Sequence, residues 1–486
     1  MPGVVITTAV RTGPTSDTVR ESSQAFFVGL ANKGTTDEAV LVQSLAEFEE
    51  YFGKYVTYAY LHPTVQTFFE EGGTQCYIAR VVGPNADTAT MALEDVSANE
   101  VITLTADGPG DWSDTLQVEV VASGAKRNIK LYYNGDLVYS TGLKSSNTDL
   151  ANAINNSPIA TKWVSAVKLD DAIVASMGLT SFSGGDDDRN DNTVDSTFSA
   201  FVDALDLFLD SYGPGAVSCP ETSAINADLI AHANANSRVA ILHIASGSSA
   251  SDAKDAAADL MGEDGSEHSA IYHPWVYIPT LVTGVNRLVP PDGYVAGARA
   301  SAHNNVGPHQ PAAGLIAASK FVNGVESDVS KSVGDDLDDN NVNAIRIIAN
   351  GVRVYGARSL STDTENFRYL TTQDTVNTVV HRSNRAMEDL LFSPIDGRNA
   401  LFTEVEGRLK SICEIMAREG ALYPAYDSSN KLIDAGFTVK CDSSINTTAQ
   451  LAEGKVKAQI GLRVSPIGDK IEVTIIKSNL TGSVTV

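Results

Sequence analysis

Apolar residues along the chain follow two periods, and the period switches several times. QAFFVGLA (Gln24–Ala31) is almost continuously apolar and predicts a strand buried on both faces. NKG follows as a turn. SLAEFEEYFG places Leu45, Phe48 and Phe52 on one helical face and stops at Gly53. LHPTVQTFFEEGG reads as a second helix ended by Gly72 and Gly73, and CYIARVVG (Cys76–Gly83) as the next strand. Strand, helix, helix, strand at this spacing predicts α/β architecture.

Between about residues 86 and 190 the pattern changes to short alternating runs rich in β-branched residues: VITLTADG, TLQVEVVAS and NIKLYYNGDLVYSTG. Asn134-Gly135 between two such runs predicts a tight hairpin. The segment closes in the acidic loop SGGDDDRNDN. The α/β pattern then resumes. FSAFVDALDLFLDSYG carries Phe198, Phe201, Val202, Leu205, Phe208 and Leu209 along one helical stripe, GAVSCP and SRVAILHIA read as strands, and helices are expected near 221–235 and 251–262. The mostly β segment, 86–190, is therefore an insert in a discontinuous α/β core, 24–85 and 191–340. VPPDGYVAGARASAHNNVGPHQPAAG (Val289–Gly314), rich in proline and glycine, predicts an ordered loop and strand, and SDVSKSVGDDLDDNN an acidic connector.

A C-terminal domain, 341–478, is predicted to open near GVRVYGARSL (Gly351–Leu360). Alternation puts Val352 and Val354 on one face and Arg353 and Tyr355 on the other, with Arg358 beyond Gly356. VNTVVHRSNRAMEDLLF and FTEVEGRLKSICEIMAREG read as helices; in the second, Phe402, Val405, Leu409, Ile412 and Met416 recur at helical spacing. Strands AGFTVKCD, GKVKAQIGLRVSP and DKIEVTIIKS follow, with Val456, Ile460 and Val464 on one side of the middle one and Val473 in the last. The fold class is α/β, more fully α+β multidomain: an interrupted α/β core, a mostly β insert, and a C-terminal helix and antiparallel-sheet domain. Both chain ends are β-prone, 1–23 through Val4, Val5 and Ile6, and 479–486 through Val484 and Val486. An isolated strand is unstable in water, so each end must join a distant sheet or another chain.

Charge narrows the partners. The formal net charge is −25 over 486 residues, and phosphate contacts need a basic surface, so nucleic acid is not an expected partner. The imbalance is uneven. Residues 341–486 hold 17 Lys+Arg against 16 Asp+Glu, whereas residues 1–340 hold 18 against 44. No apolar run reaches the roughly 18 residues needed to span a bilayer, and the start, MPGVVITTAVRTG, lacks the pattern of a secretion signal. The expectation is a chain folded in the cytoplasm without membrane insertion. Cys76, Cys219, Cys413 and Cys441 are scattered and read as reduced thiols.

Catalytic patterns are missing. There is no dinucleotide or P-loop glycine motif and no G-x-S-x-G turn. His268 and His273, like His303 and His309, lack zinc-ligand spacing. The runs at Asp186, Asp188 and Asn190 and at Asp336, Asp338 and Asn340 fail the calcium-loop pattern at its glycine and final glutamate. No catalytic residue, metal site or cofactor is expected.

Several segments, in order, carry a resemblance: PGVVITT; AFFVGLANKG, EFEEYFG and FFEEGGTQCYIARVVG; ADGPGDWSDTLQVEV; SFSGGDD; YHPWVYI with VPPDGYVAGARA; and GVRVYGARSL, NFRYL and EGALYPAY. Together they resemble the contractile tail sheath proteins of tailed phages and related contractile injection particles. Tyr355 stands where a tryptophan is usual. The resemblance implies a structural subunit of a virion tail or injection particle, assembled in the host cytoplasm. Subunits would form stacked six-membered rings around an inner tail tube protein, bounded by baseplate and tail terminator proteins. It implies that terminal arms (Val4, Val5, Ile6, Val484, Val486) add strands to a neighbour's sheet (Val456, Ile460, Val464, Val473). It further implies that the C-terminal domain faces the tube, with Arg408, Lys410 and Arg418 as candidates, and that contraction drives the tube through the target envelope. Arg353, Tyr355 and Arg358 would serve a domain junction or assembly. Alternatives are another tail or baseplate component, or a hydrolase-like α/β enzyme.

Overall fold

The computed structural model describes residues 20–189, 198–280, 284–349 and 351–469. Val4, Val5, Ile6, Val473, Val484 and Val486 lie outside them. The chain divides into two compact units between His381 and Arg382.

The first unit begins with β1 (Ala25–Leu30), β2 (Val40–Val42), α1 (Leu45–Phe52), α2 (Leu61–Glu70) and β3 (Cys76–Val81). The insert follows: β4 (Thr90–Glu94), β5 (Glu100–Ala106), β6 (Leu116–Ser123), β7 (Lys126–Tyr133), β8 (Asp136–Ser140), α3 (Asn147–Asn155), β9 (Val164–Lys168) and β10 (Met177–Ser181). The core resumes with α4 (Ser199–Leu205), β11 (Ala216–Ser218), α5 (Asn226–Ala235), β12 (Val239–Leu242), α6 (Ala250–Leu260) and β13 (Ser269–His273). It continues through β14 (Val276–Pro279), β15 (Asn286–Val289), α7 (Asp292–Asn305), β16 (Gly324–Val325), α8 (Lys331–Asp339), β17 (Val342–Ile348) and β18 (Gly351–Tyr355). Helix α9 (Leu370–Met387) crosses the division.

One eight-stranded sheet organises this unit, in the order β18-β17-β13-β12-β11-β1-β3-β2. The strands from β17 to β3 run parallel, and β18 and β2 close the two edges antiparallel. Burial on both faces explains the unbroken apolar run of β1, every residue of which is buried. Phe27, Phe68, Ile78 and Tyr294 pack on one face; Phe26, Phe208, Leu229 and Leu242 pack on the other.

The insert has its own core, including Trp112, Leu116, Val118, Leu131 and Ile154, between the sheets β4-β5-β9 and β10-β6-β7-β8. Asn134 and Gly135 both take positive φ, as the predicted tight turn requires. Two buried cations fasten insert to core. Arg80 on β3 donates to Gly34 O at 2.7 Å, Pro109 O at 2.8 Å and Asp187 Oδ1 at 2.9 Å. Lys33, in the turn after β1, puts Nζ 3.4 Å from the centre of the Trp163 ring, with Tyr133 and Trp112 as further walls. Burial there drives the Lys33 amine down to about 8, against the opposing pull of Asp107 and Glu50.

Four expectations need correction. Val289–Gly314 is largely helix, α7, and not loop and strand. Its first nine residues are all buried, so it has no polar face and no helical stripe to read. Its glycines permit close packing: a Cβ on Gly293 or Gly297 would lie 2.3 Å from Thr64 O or 2.7 Å from Phe68 O of α2. The acidic connector contains helix α8, capped by Ser330, whose hydroxyl accepts from Val333 N, and anchored through Leu337. GVRVYGARSL does not open a separate domain. β17 extends the parallel sheet beside β13, β18 pairs with β17, and the compact division falls only after His381. The stripe from Phe198 to Leu209 also ends early: α4 stops at Leu205, Phe208 is buried from the following turn, and Leu209 is exposed.

In the second unit, α10 (Ala400–Arg418) buries Phe402, Val405, Leu409, Ile412 and Met416, the stripe expected from sequence, and Cys413 beside it. Strands β19 (Ala425–Tyr426), β20 (Leu432–Asp434), β21 (Phe437–Lys440) and β22 (Gln459–Leu462) follow, with α11 (Thr448–Ala452) between the last two.

Candidate assembly surfaces

In an open parallel sheet, ligands bind beyond the carboxyl ends of the strands where the strand order reverses. Here that point lies between β1 and β11, because the chain builds outward to β3 on one side and to β12 on the other. Glu221, three residues past β11, fills it. Its carboxylate accepts from Tyr60 N and Leu61 N at the start of α2, both at 2.9 Å, and from Leu30 N at 3.3 Å. Gly29 gives it room, since a Cβ there would stand 3.1 Å from Glu221 Oε1. An internal carboxylate thus holds the helix N-terminus where an enzyme of this architecture would seat an anionic ligand. Burial pushes the Glu221 carboxyl up to about 7, opposed by those N–H donors.

The second unit presents a different surface. β21 pairs antiparallel with β22, from Phe437 opposite Leu462 to Lys440 opposite Gln459. Val439, Val456 and Ile460 pack with Phe402, Val405 and Leu409 of α10. Beyond β22 the strand turns to a new neighbour: Tyr423 N donates to Arg463 O at 2.8 Å and Ser465 N to Ala421 O at 2.9 Å. Among the described residues β21 and β22 form a sheet of only two strands, which leaves backbone donors and acceptors at its edges. A groove of about 650 Å³ runs along it, lined by Glu406, Val439, Lys440, Gln459 and Ile460 among others.

No protein-family profile and no curated protein matches the chain. Solved structures do. The chain is similar to the PVC sheath complex of an extracellular contractile injection system in the contracted state, at 15% identity and TM-score 0.56, over 98% of this chain and 99% of that one. A sheath tail protein from Listeria innocua aligns at 13% identity and TM-score 0.60, over 88% and 90%. A chain of the anti-feeding prophage baseplate in the contracted state aligns at 16% and 0.57, over 98% of each. The chain has the sheath-protein fold.

Within the sheath-protein fold the predicted residues fall into three groups. Arg358 is an internal lock. Its Nε donates to Asp338 Oδ1 on α8 at 2.9 Å, while its backbone N donates to Asn343 Oδ1 on β17 at 2.7 Å. Arg353 sits opposite Arg346 on the β17–β18 ladder, and Tyr355, half exposed at the end of β18, lies 5.4 Å from the Arg346 guanidinium. On α10, Arg408 is already engaged by Asp389 and by Glu404 at 2.7 Å, whereas Lys410 and Arg418 are exposed. Val456 and Ile460 face α10, and Val464 bridges Leu422. Sequence reading missed Glu221, Lys33 and Arg299. A single buried charge makes no periodic pattern; only Arg80, a cation inside an apolar strand, left a visible signal.

Proposed function

We propose that this chain is the structural subunit of a contractile tail sheath. The observation that carries the reading is likeness over almost the full length of both chains to a contracted sheath. In this reading subunits form stacked hexameric rings around an inner tail tube protein, held between baseplate and terminator proteins. Segments 1–23 and 479–486, β-prone in sequence, supply Val4, Val5, Ile6, Val484 and Val486 as exchanged strands. The two-stranded sheet β21-β22, with Val456, Ile460 and Val464 and with Val473 added from sequence, receives them, because backbone hydrogen bonds to an open strand edge link two bodies without fixing their mutual rotation. Lys410 and Arg418 face the tube. Contraction is a change between two packings of the same subunits, summed over many copies, and needs no nucleotide. The particle is a virion tail or an injection device assembled in the host cytoplasm.

The test is assembly itself. Purified chain at high concentration should form hollow striated cylinders in negative-stain electron micrographs. Removing residues 1–19 should abolish them while leaving the circular dichroism spectrum intact. A full-length chain that stays monomeric, or a truncated one that still polymerises, refutes strand exchange. A second reading, a baseplate component, is favoured by the likeness to a baseplate chain; small closed rings without cylinders would select it.

A further inference from the structure

Residues 20–24 lead the N-terminal segment into β1, and they are held on every side. Asn304 Oδ1 accepts from Arg20 N at 3.1 Å. Arg299 donates to Ser22 O at 2.8 Å, and the His303 ring meets Ser22 Oγ at 3.1 Å. Gln24 donates to Tyr212 O and to Pro214 O, the latter at 3.0 Å. Behind this ring of contacts lies a buried charge pair. Arg299 on α7 donates to both carboxylate oxygens of Asp374 on α9, with Nε to Oδ2 at 3.2 Å. His303 Nε2 stands 3.5 Å from the same oxygen. Arg299, His303 and Asp374 are each nearly inaccessible to solvent. Burial and the neighbouring Arg299 hold the His303 imidazole well below its usual range, so the Arg299 guanidinium carries the positive charge that meets Asp374.

Stability alone does not call for this pair. Well-packed apolar residues of similar volume serve a core as well as a buried ion pair does, or better. What the pair adds is direction: a bidentate guanidinium fixes α7 against α9 and leaves its remaining nitrogen aimed at Ser22 O. The held residues run straight into β1, which lies inside the sheet between β11 and β3. A pull along the segment therefore reaches an interior strand and does not peel an edge.

We propose that Arg299, His303 and Asp374 form a clamp at the root of the N-terminal segment, and that linkage between subunits through this segment depends on it. The proposal rests on the sheath reading for the linkage and on the contacts alone for the clamp. The double substitution Arg299→Met with Asp374→Leu separates the two roles. The variant should keep the wild-type circular dichroism spectrum and a cooperative melt, yet need about tenfold more protein before cylinders appear. Assembly at the wild-type concentration overturns the linkage. Hydrogen exchange on the unaltered monomer tests the clamp even if the variant does not fold: the amides of Ser23 and Gln24 should exchange at least about 100-fold more slowly than in a free peptide. Free-peptide rates there overturn the clamp. A wild-type chain that never polymerises removes the sheath reading and the linkage, while exchange still decides the clamp.

Discussion

Glu221 shows how one side chain can retire a binding crevice. The carboxylate sits among backbone donors at the start of α2. Burial nonetheless raises its carboxyl from 4.5 to about 7. A raised folded-state value means that the folded chain holds the proton more tightly than the unfolded one. The stabilising contribution is full below the unfolded value and fades as pH rises through about 7. Glu221→Gln removes that titration. The melting temperature of the wild type should therefore fall relative to the variant between pH 5 and pH 8, and parallel curves would contradict the assignment. Sequence reasoning had no access to this residue. Glutamate after a short strand is ordinary, and only the folded chain brings the N–H groups of Leu30, Tyr60 and Leu61 around it.

At the scale of elements, legibility followed amphipathicity. α10 was readable because one face is buried and the other wet, and β1 because both of its faces are buried. α7 failed for the opposite reason: buried all round and built from Gly and Ala, it has neither stripe nor strong propensity. Its glycines, read as loop markers, are instead the surface on which α2 rests. Gly297→Val should force the helices apart and cost about 1–3 kcal/mol in chemical denaturation, whereas Gly407→Ala, on α10 with no atom of the described residues within contact range of a new Cβ, should not destabilise. Equal losses at both positions would argue that the close approach of α2 and α7 is not what the glycine serves. α8 was hidden by its charge, although Ser330, Val333 and Leu337 already spell a capped helix with one apolar edge. The C-terminal boundary was misplaced because an acidic run resembles a linker, while β17 and β18 answer to the sheet.

Across the whole molecule, charge is segregated: nearly all the excess acid lies in the first 340 residues. In the sheath reading this leaves a near-neutral region to meet the tube, and Lys410 and Arg418 are exposed there. Exposed ion pairs contribute about 0.2–1 kcal/mol each, so in that reading many weak contacts would hold the tube and release it together. Lys410→Glu with Arg418→Glu should weaken co-sedimentation with preformed tubes at low salt, with the difference shrinking as salt screens both proteins. Cylinders formed without a tube should be unaffected; their loss would move these residues from the tube surface to a subunit contact. The occupied crevice at the strand ends has a practical consequence. Screening campaigns for compounds that disable this protein gain nothing from the crevice an enzymologist would choose first, because any inhibitor there must evict a covalently attached competitor. In the sheath reading the open edge of β21 and β22 is the better target, for a short extended peptide that competes with an exchanged strand.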